Sequence, residues 1–268
     1  MHDGPGARTT VFFKGCPLRC SWCHNPEGLS ARPELIRGAA CAKCGGCAHS
    51  EELLARGEPQ SAVRVCPKGC LRVAGTLCDA ETLATELLRH KESFAILGGG
   101  VTLSGGECLL QSEFACELLG RLEGIHRTIE TSGHASQQAF LSVIAHTELV
   151  LFDIKHMDSD THKQYTGIGN EQIQRNLSVL MESKKPFIAR IPLIPGVNDD
   201  RHNLEAVAQR LCGASGLLRV EILPYNTNAG AKYAMTGRAF VPGFDTSAEP
   251  NLVNTDVFEI YGIERVVV

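Results

Sequence analysis

Cys16, Cys20 and Cys23 stand in the stretch KGCPLRCSWCHNPE, residues 14–27, at C-x3-C-x2-C spacing. Thiolates hold zinc and iron–sulfur clusters, and the number of ligands separates the two. An electron-transfer cubane takes four cysteines. Three leave one iron of a [4Fe–4S] cluster without a protein ligand, which is useful only where something else binds that iron. The alternative is a structural zinc site, which wants four ligands and would draw on His24 as the fourth.

A second group follows at Cys41-x2-Cys44-x2-Cys47, with Cys66-Pro67 beyond it. This spacing resembles half of a bacterial ferredoxin, in which the Cys-Pro cysteine serves the cluster of the other run. Here the other run is missing, so Cys66 is expected to complete one auxiliary [4Fe–4S] cluster with Cys41, Cys44 and Cys47. Cys70 is the competing fourth ligand, Cys78 has no pattern, and zinc in the same cysteines is the alternative metal. The chain has 12 cysteines. Without an export signal they argue for metal rather than a disulfide framework, in a reducing, cytoplasmic and anaerobic setting.

The elements that must position these groups read as alternating strands and helices. Strands are expected over residues 9–13, 100–104, 127–131, 148–154, 187–193 and 218–223. Helices are expected over 79–91, 111–123, 136–145, 172–183 and 201–211, with Asp79 as an N-cap. Beyond Tyr225 come a loop, a weakly patterned helix over 254–261 and a short strand over 264–268. Six βα units with no return strand predict an α/β fold whose parallel sheet curls into a partial (β/α)6 barrel. The 268 residues and 43% hydrophobic content suit one such domain with a small insert. Residues 32–78, rich in Cys and Gly, form that Cys-rich, ferredoxin-like insert, a segment too poor in apolar pattern to fold without metal. Residues 1–31 and 79–268 form the barrel. A net charge of −4 shows no basic face for nucleic acid, and no apolar run approaches a membrane span.

In barrels the C-terminal strand ends carry the site, and the cluster loop directly follows the first strand. Gly105-Gly106-Glu107 ends the second, with glycines that allow close backbone approach and a carboxylate able to accept from an ammonium. Glu130, Thr131 and Ser132 end the third, where hydroxyls are commonly turn formers. Asp153 and Lys155 end the fourth on the face shared with Leu149 and Leu151, as site residues or as an inert ion pair. Arg190 interrupts an apolar strand and needs an anionic partner, either a carboxylate such as Asp153 or Glu221 or a ligand. Pro224-Tyr225-Asn226 ends the sixth.

These motifs together resemble the glycyl radical enzyme activating enzymes, the pyruvate formate-lyase activase class of the radical S-adenosylmethionine (SAM) superfamily. The resemblance rests on HDGPGARTTVFFKGCPLRCSWCHNPEG, GGGVTLSGGE, IETSG, LVLFDIKHMD, IARIPLIPGVND and EILPYN, in that order, and covers nearly the whole chain. It implies a TIM-like radical SAM barrel with a lateral opening that admits a protein loop. SAM then fills the open iron site, and an electron from the cluster cleaves it to methionine and a 5′-deoxyadenosyl radical. That radical takes hydrogen from a backbone glycine of a partner glycyl radical enzyme. The reductant implied is flavodoxin or ferredoxin, and the protein is expected to be a monomer.

The resemblance assigns SAM contacts to Gly105, Gly106, Glu107, Glu130, Thr131, Ser132, Asp153, Lys155, Arg190 and Asn226. Trp22 shields the cluster, covers adenine or packs, and Asp3 is a possible contact to the incoming glycine loop. Three departures stand out: Cys108 replaces the usual Pro, Glu130-Thr131-Ser132-Gly133 the usual Asp-Thr-Asn-Gly, and Asn226 the usual His. Two rival readings are a radical SAM enzyme acting on a small molecule and a ferredoxin-like electron carrier.

Overall fold

The structure, a computed structural model, describes residues 3–268. Met1 and His2, the latter part of the HDGPG motif, lie outside the described residues. In chain order β1 (Arg8–Phe13) leads through the cluster loop to β2 (Glu34–Arg37), α1 (Ser50–Ala55), α2 (Pro59–Arg64) and β3 (Leu71–Ala74). Then come α3 (Ala80–Leu88), α4 (Lys91–Ile96), β4 (Gly100–Gly105), α5 (Ser112–Arg121), β5 (His126–Thr131), α6 (Gln137–Ile144) and β6 (Leu149–Asp153). The chain continues with α7 (Ser159–Thr166), α8 (Glu171–Ser183), β7 (Phe187–Leu193), α9 (Arg201–Leu211), β8 (Leu217–Pro224), α10 (Val257–Ile260) and β9 (Arg265–Val267).

Seven strands form one parallel sheet in the order β1-β4-β5-β6-β7-β8-β9. Parallel neighbours require crossovers, and the helices supply them. The sheet is open: among the described residues β1 pairs only with β4 and β9 only with β8. Six barrel strands were expected with a short terminal one, and β9 does join the sheet, Val220 facing Arg265 and Ile222 facing Val267.

Outside the insert, for which no elements were expected, the structure departs from the sequence reading at three places. Helix α7, with sequence SDTHKQYT, has no apolar periodicity. It is held by its ends, Asp158 accepting from the Thr161 amide and Gly167 closing it in a left-handed turn, and it buries His162 and Thr166 instead of leucines. The expected helix over 254–261 is a 3-10 turn, Leu252–Asp256, running into the four-residue α10. The helix expected over 79–91 ends at Leu88, and α4 starts anew at Lys91.

The two faces of the sheet differ in chemistry, because side chains alternate along each strand. The outer face, with Leu103, Ile129, Phe152, Ala189 and Val220, packs against Leu87, Leu118, Phe140, Leu177 and Val207 of the helices as one apolar core. The inner face is largely polar. Arg8 donates to Thr102 and Thr128, and Ser104 donates to Glu130, which in turn accepts from Arg190. Among the described residues Leu149, Leu151 and Ile188 form an apolar cluster there. The segment ahead of β1 folds back onto this face: the Asp3 carboxylate accepts from Thr10 at 2.7 Å and its carbonyl from Thr102 at 2.5 Å. Gly6 makes that return possible, since a Cβ there would stand 2.1 Å from the Gly98 carbonyl oxygen.

Strands β2 and β3 form a separate antiparallel pair, Glu34 facing Ala74 and Arg37 facing Leu71, with α1 and α2 between them. No helix among the described residues is long and apolar enough to cross a membrane.

Candidate active site

The loop carrying Cys16, Cys20 and Cys23 leaves the C-terminal end of β1 and is pinned at both ends. The Gly15 amide donates to the Gly28 carbonyl at 2.8 Å, closing the loop at its base. At its far side the Arg19 and Ser21 amides donate to the Thr166 and Tyr165 carbonyls at the end of α7. The unforeseen helix α7 is therefore what the cluster loop rests on. Trp22 is only 6% exposed and packs with Ile194 and Val197, its ring 6.4 Å from that of Tyr165. Of its three expected roles, packing is the one these contacts show directly.

Burial pushes the three thiols up, Cys16 to about 11 and Cys20 to about 12, with Cys23 raised as well. Lys155 opposes that rise at all three. Burial disfavours its own charge, but Asp153, at 3.0 Å from Nζ, and the neighbouring cysteines outweigh burial and hold its pKa above the ordinary lysine range. The expected placement of Asp153 and Lys155 on one face at the end of β6 thus yields a close ion pair beside the cysteines.

Gly105 and Gly106 approach protein backbone closely. A Cβ on Gly105 would lie 2.4 Å from the Phe13 nitrogen, and one on Gly106 2.2 Å from the Gly15 oxygen. Hydrogen bonds from the Gly106 amide to Phe13 and from the Glu107 amide to Gly15, both 2.8 Å, lock this turn to the root of the cluster loop. The Glu107 side chain turns inward, 1% exposed, and accepts from Thr131 Oγ1, Ser132 N, Ser132 Oγ and Leu109 N. Thr131 and Ser132 therefore meet Glu107 directly, a partnership that reading the two motifs separately did not reveal. Cys108 is buried behind this turn in the apolar core, where a thiol packs as a small hydrophobe.

Arg190, 1% exposed, donates from Nε to Glu221 at 2.9 Å and from Nη1 to Glu130 at 2.8 Å, with Asp3 3.9 Å away. Burial works against its charge, and Glu130 and Glu221 more than restore it. Glu221 is one of the two carboxylates that the sequence offered as an alternative to a ligand; Glu130 and Asp3 join through the topology of the inner face. Asn226 is exposed and accepts from the Asn228 amide, acting as a turn former at the end of β8. Its neighbour Tyr225 was passed over, yet its hydroxyl is buried without a hydrogen-bond partner among the described residues, beside Phe244 and the Trp22 group. An orphaned polar atom next to the cluster loop is a candidate ligand contact.

In the insert, Cys41, Cys44, Cys47, Cys66 and Cys70 line one concavity of about 220 Å3 together with Arg37 and Pro67. The Cys70 amide donates to Cys66 Sγ at 3.3 Å, and such donors lower the Cys66 thiol. Burial raises that of Cys70. Both donor sets, three thiols on a tight loop and four or five around one hollow, suit iron–sulfur clusters in kind and number, although among the described residues no three ligands are gathered closely enough to hold a metal ion as the side chains stand.

An open parallel α/β sheet with three thiols on the loop after its first strand is the architecture of a radical SAM protein, and the family model described as the Radical SAM superfamily matches residues 10–207. Within that superfamily the chain belongs to the glycyl radical enzyme activating enzymes. It is 36% identical to the (2S)-3-sulfopropanediol dehydratase activating enzyme of Klebsiella oxytoca, over 88% of this chain and 82% of the relative. It is 37% identical to the choline trimethylamine-lyase activating enzyme of Oleidesulfovibrio alaskensis, over 88% and 84%. Among solved structures, a domain of the pyruvate-formate lyase-activating enzyme from Bacteroides vulgatus superposes with a TM-score of 0.53 at 31% identity, covering 63% of this chain and 99% of that domain.

Proposed function

We propose that the protein cleaves SAM reductively and installs a radical on a backbone glycine of a partner glycyl radical enzyme. The observation that carries this reading is the three-thiol loop at the C-terminal end of β1, in a sheet whose two edges do not close. Cys16, Cys20 and Cys23 would hold a [4Fe–4S] cluster with one open iron. When bound, that cluster supplies the electron that cleaves SAM to methionine and a 5′-deoxyadenosyl radical, which takes a hydrogen atom from the partner's glycine.

The chain's own residues do the positioning. Lys155 places a fixed positive charge beside the cysteines, and its pairing with Asp153 keeps it there. Glu107, tied to Thr131 and Ser132, holds the Gly105-Gly106 turn against Gly15, so the backbone of this turn is what faces an incoming amino acid group. Trp22 and Tyr165 cover the loop on the α7 side and keep water from it. Phe12, 60% exposed on edge strand β1, borders the opening through which a peptide loop would enter.

The insert is read as a folding unit of its own, residues 32–78, in which Cys41, Cys44, Cys47 and Cys66 hold an auxiliary cluster. Donation of the Cys70 amide to Cys66 supports Cys66 over Cys70. A flavodoxin or ferredoxin would deliver electrons to a monomer in the cytoplasm. The relatives' names differ in the enzyme they activate, so the partner is sought among glycyl radical enzymes encoded beside this gene. Electron paramagnetic resonance (EPR) of each candidate, after anaerobic incubation with this protein, SAM and a reductant, should show a glycyl doublet. Consumption of a small molecule, with no doublet in any candidate, would replace this reading by that of a small-molecule radical SAM enzyme.

A further inference from the structure

Lys14 lies two residues before Cys16 and passes through the doorway of the insert. Glu34 opens β2 opposite Ala74, so Glu34 and Gly75 mark where the chain leaves the barrel and where it returns. Lys14 Nζ donates to the Glu27 carbonyl of the cluster loop at 2.5 Å and stands 3.3 Å from Glu34 Oε1. Gly75, at φ +93°, clears the way: a Cβ there would sit 2.5 Å from Lys14 Cδ. From the segment after β8, Arg238 donates to both oxygens of Glu34, at 3.3 and 2.8 Å. Lys232 of the same segment reaches Glu27 Oε1 at 2.6 Å and Asn25 Oδ1 at 2.9 Å. Glu34 is thus held by two cations, one from the root of the cluster loop and one from the chain after the last long strand, with its side chain only 20% exposed.

We infer that Glu34 is a positioning residue: with Lys14 and Arg238 it fixes the insert at one distance from the SAM-cluster loop, so that an electron can pass from the insert's cluster to the SAM cluster. This rests on the reading of the insert as a cluster site. A one-electron, low-potential donor of the flavodoxin or ferredoxin type reduces the insert's cluster, and that cluster returns to its oxidised state by reducing the SAM cluster by one electron. Such transfer falls steeply with distance, and an insert joined only through its two chain crossings would sample a range of distances. An ordinary surface ion pair contributes little and has no bearing on placement. Glu34 differs in joining three segments at the two crossings themselves.

The test compares the full-length protein, anaerobically reconstituted, with its Glu34→Ala and Arg238→Ala variants. The second breaks the same link from outside the insert, should the first fail to fold. Each is assayed for iron and zinc, for magnetic interaction between the two reduced clusters by EPR, and for the rate of SAM-cluster reduction by a protein donor. The expected result is iron unchanged at about eight per chain, a weakened or dispersed inter-cluster interaction, and slower reduction of the SAM cluster. Glu34→Asp should restore part of both. Unchanged interaction and rate in loaded variants would overturn the positioning role and leave the cluster assignment standing. Stoichiometric zinc with about four irons in the parent protein would overturn both.

Discussion

Ser132 donates to the Glu107 carboxylate twice, from its amide at 2.9 Å and from its hydroxyl at 2.5 Å. With Thr131 Oγ1 at 2.6 Å on the other oxygen, the end of β5 is fastened to the turn after β4. That turn is in contact with Gly15 and Gly28, the two ends of the cluster loop. One buried carboxylate therefore sets the position of three loops at once.

Replacing Glu107 tests this. Glu107→Ala leaves four donors facing an empty site and should cost about 3 kcal/mol or more, since each unsatisfied buried group costs ~1–3 kcal/mol. Glu107→Gln, which keeps one acceptor, should cost less. Denaturant melts read both. The pH dependence has a definite sign. Burial raises the Glu107 pKa despite its hydrogen bonds, so its contribution is fully present below the ordinary carboxylate value and declines as pH rises through the raised one. The stability difference between the parent protein and Glu107→Gln should shrink over that interval. A constant difference would show that burial does not govern this carboxyl.

Arg190 offers a second test, between a structural and a ligand-binding role. Arg190→Met removes the cation that Glu130 and Glu221 share, leaving Glu221 only its pair with Arg219, a loss of about 3–5 kcal/mol for a broken buried pair. Arg190→Lys keeps the charge but not the two-directional donation. If the residue serves only the Glu130–Glu221 network, the Lys variant should be destabilised while SAM affinity is unchanged by equilibrium dialysis. A large loss of SAM affinity in a variant of near-normal stability would make Arg190 a ligand contact.

Much of this site was legible in the sequence because its residues lie at strand ends, and strand ends are where apolar runs stop. The Cys16–Cys23 spacing, the run through Leu149 to Asp153, and Arg190 within an otherwise apolar strand are local signals. What stayed hidden depends on contacts between segments far apart in the chain. Glu107 and Ser132 are 25 residues apart, and neither motif implies the other. Helix α7 was missed because its buried face is His162 and Thr166, whose hydroxyl and ring nitrogen satisfy each other and the Ile168 carbonyl. Periodicity of apolar residues does not register such a face. Tyr225 was overlooked because an orphaned hydroxyl has no sequence signature at all.

The three cysteines of the loop should behave as one unit. Cys20→Ala, reconstituted anaerobically and reduced with dithionite in the presence of SAM, should form no 5′-deoxyadenosine, because no other thiol stands at that spacing. It should also lose about four irons per chain. Undiminished 5′-deoxyadenosine from this variant would remove the loop from the chemistry.

The insert gives the complementary measurement. Five thiols line its hollow, and a cubane held there would take four and leave one out. Cys66 accepts a backbone hydrogen bond from the Cys70 amide, and its thiol is lowered by that and by further backbone donors. Cys70 is buried, its thiol is raised, and it donates to the Lys68 carbonyl. A thiolate ligand needs donors aimed at its sulfur, and Cys66 has them while Cys70 supplies one. Cys44→Ala and Cys66→Ala should each remove about half of some eight irons and leave 5′-deoxyadenosine formation with dithionite intact, since dithionite can reduce the SAM cluster directly. Cys70→Ser should keep nearly all the iron. Loss of half the iron from Cys70→Ser with none lost from Cys66→Ala would reverse the assignment of the fourth ligand, and zinc in place of the missing iron would make the insert a purely structural site.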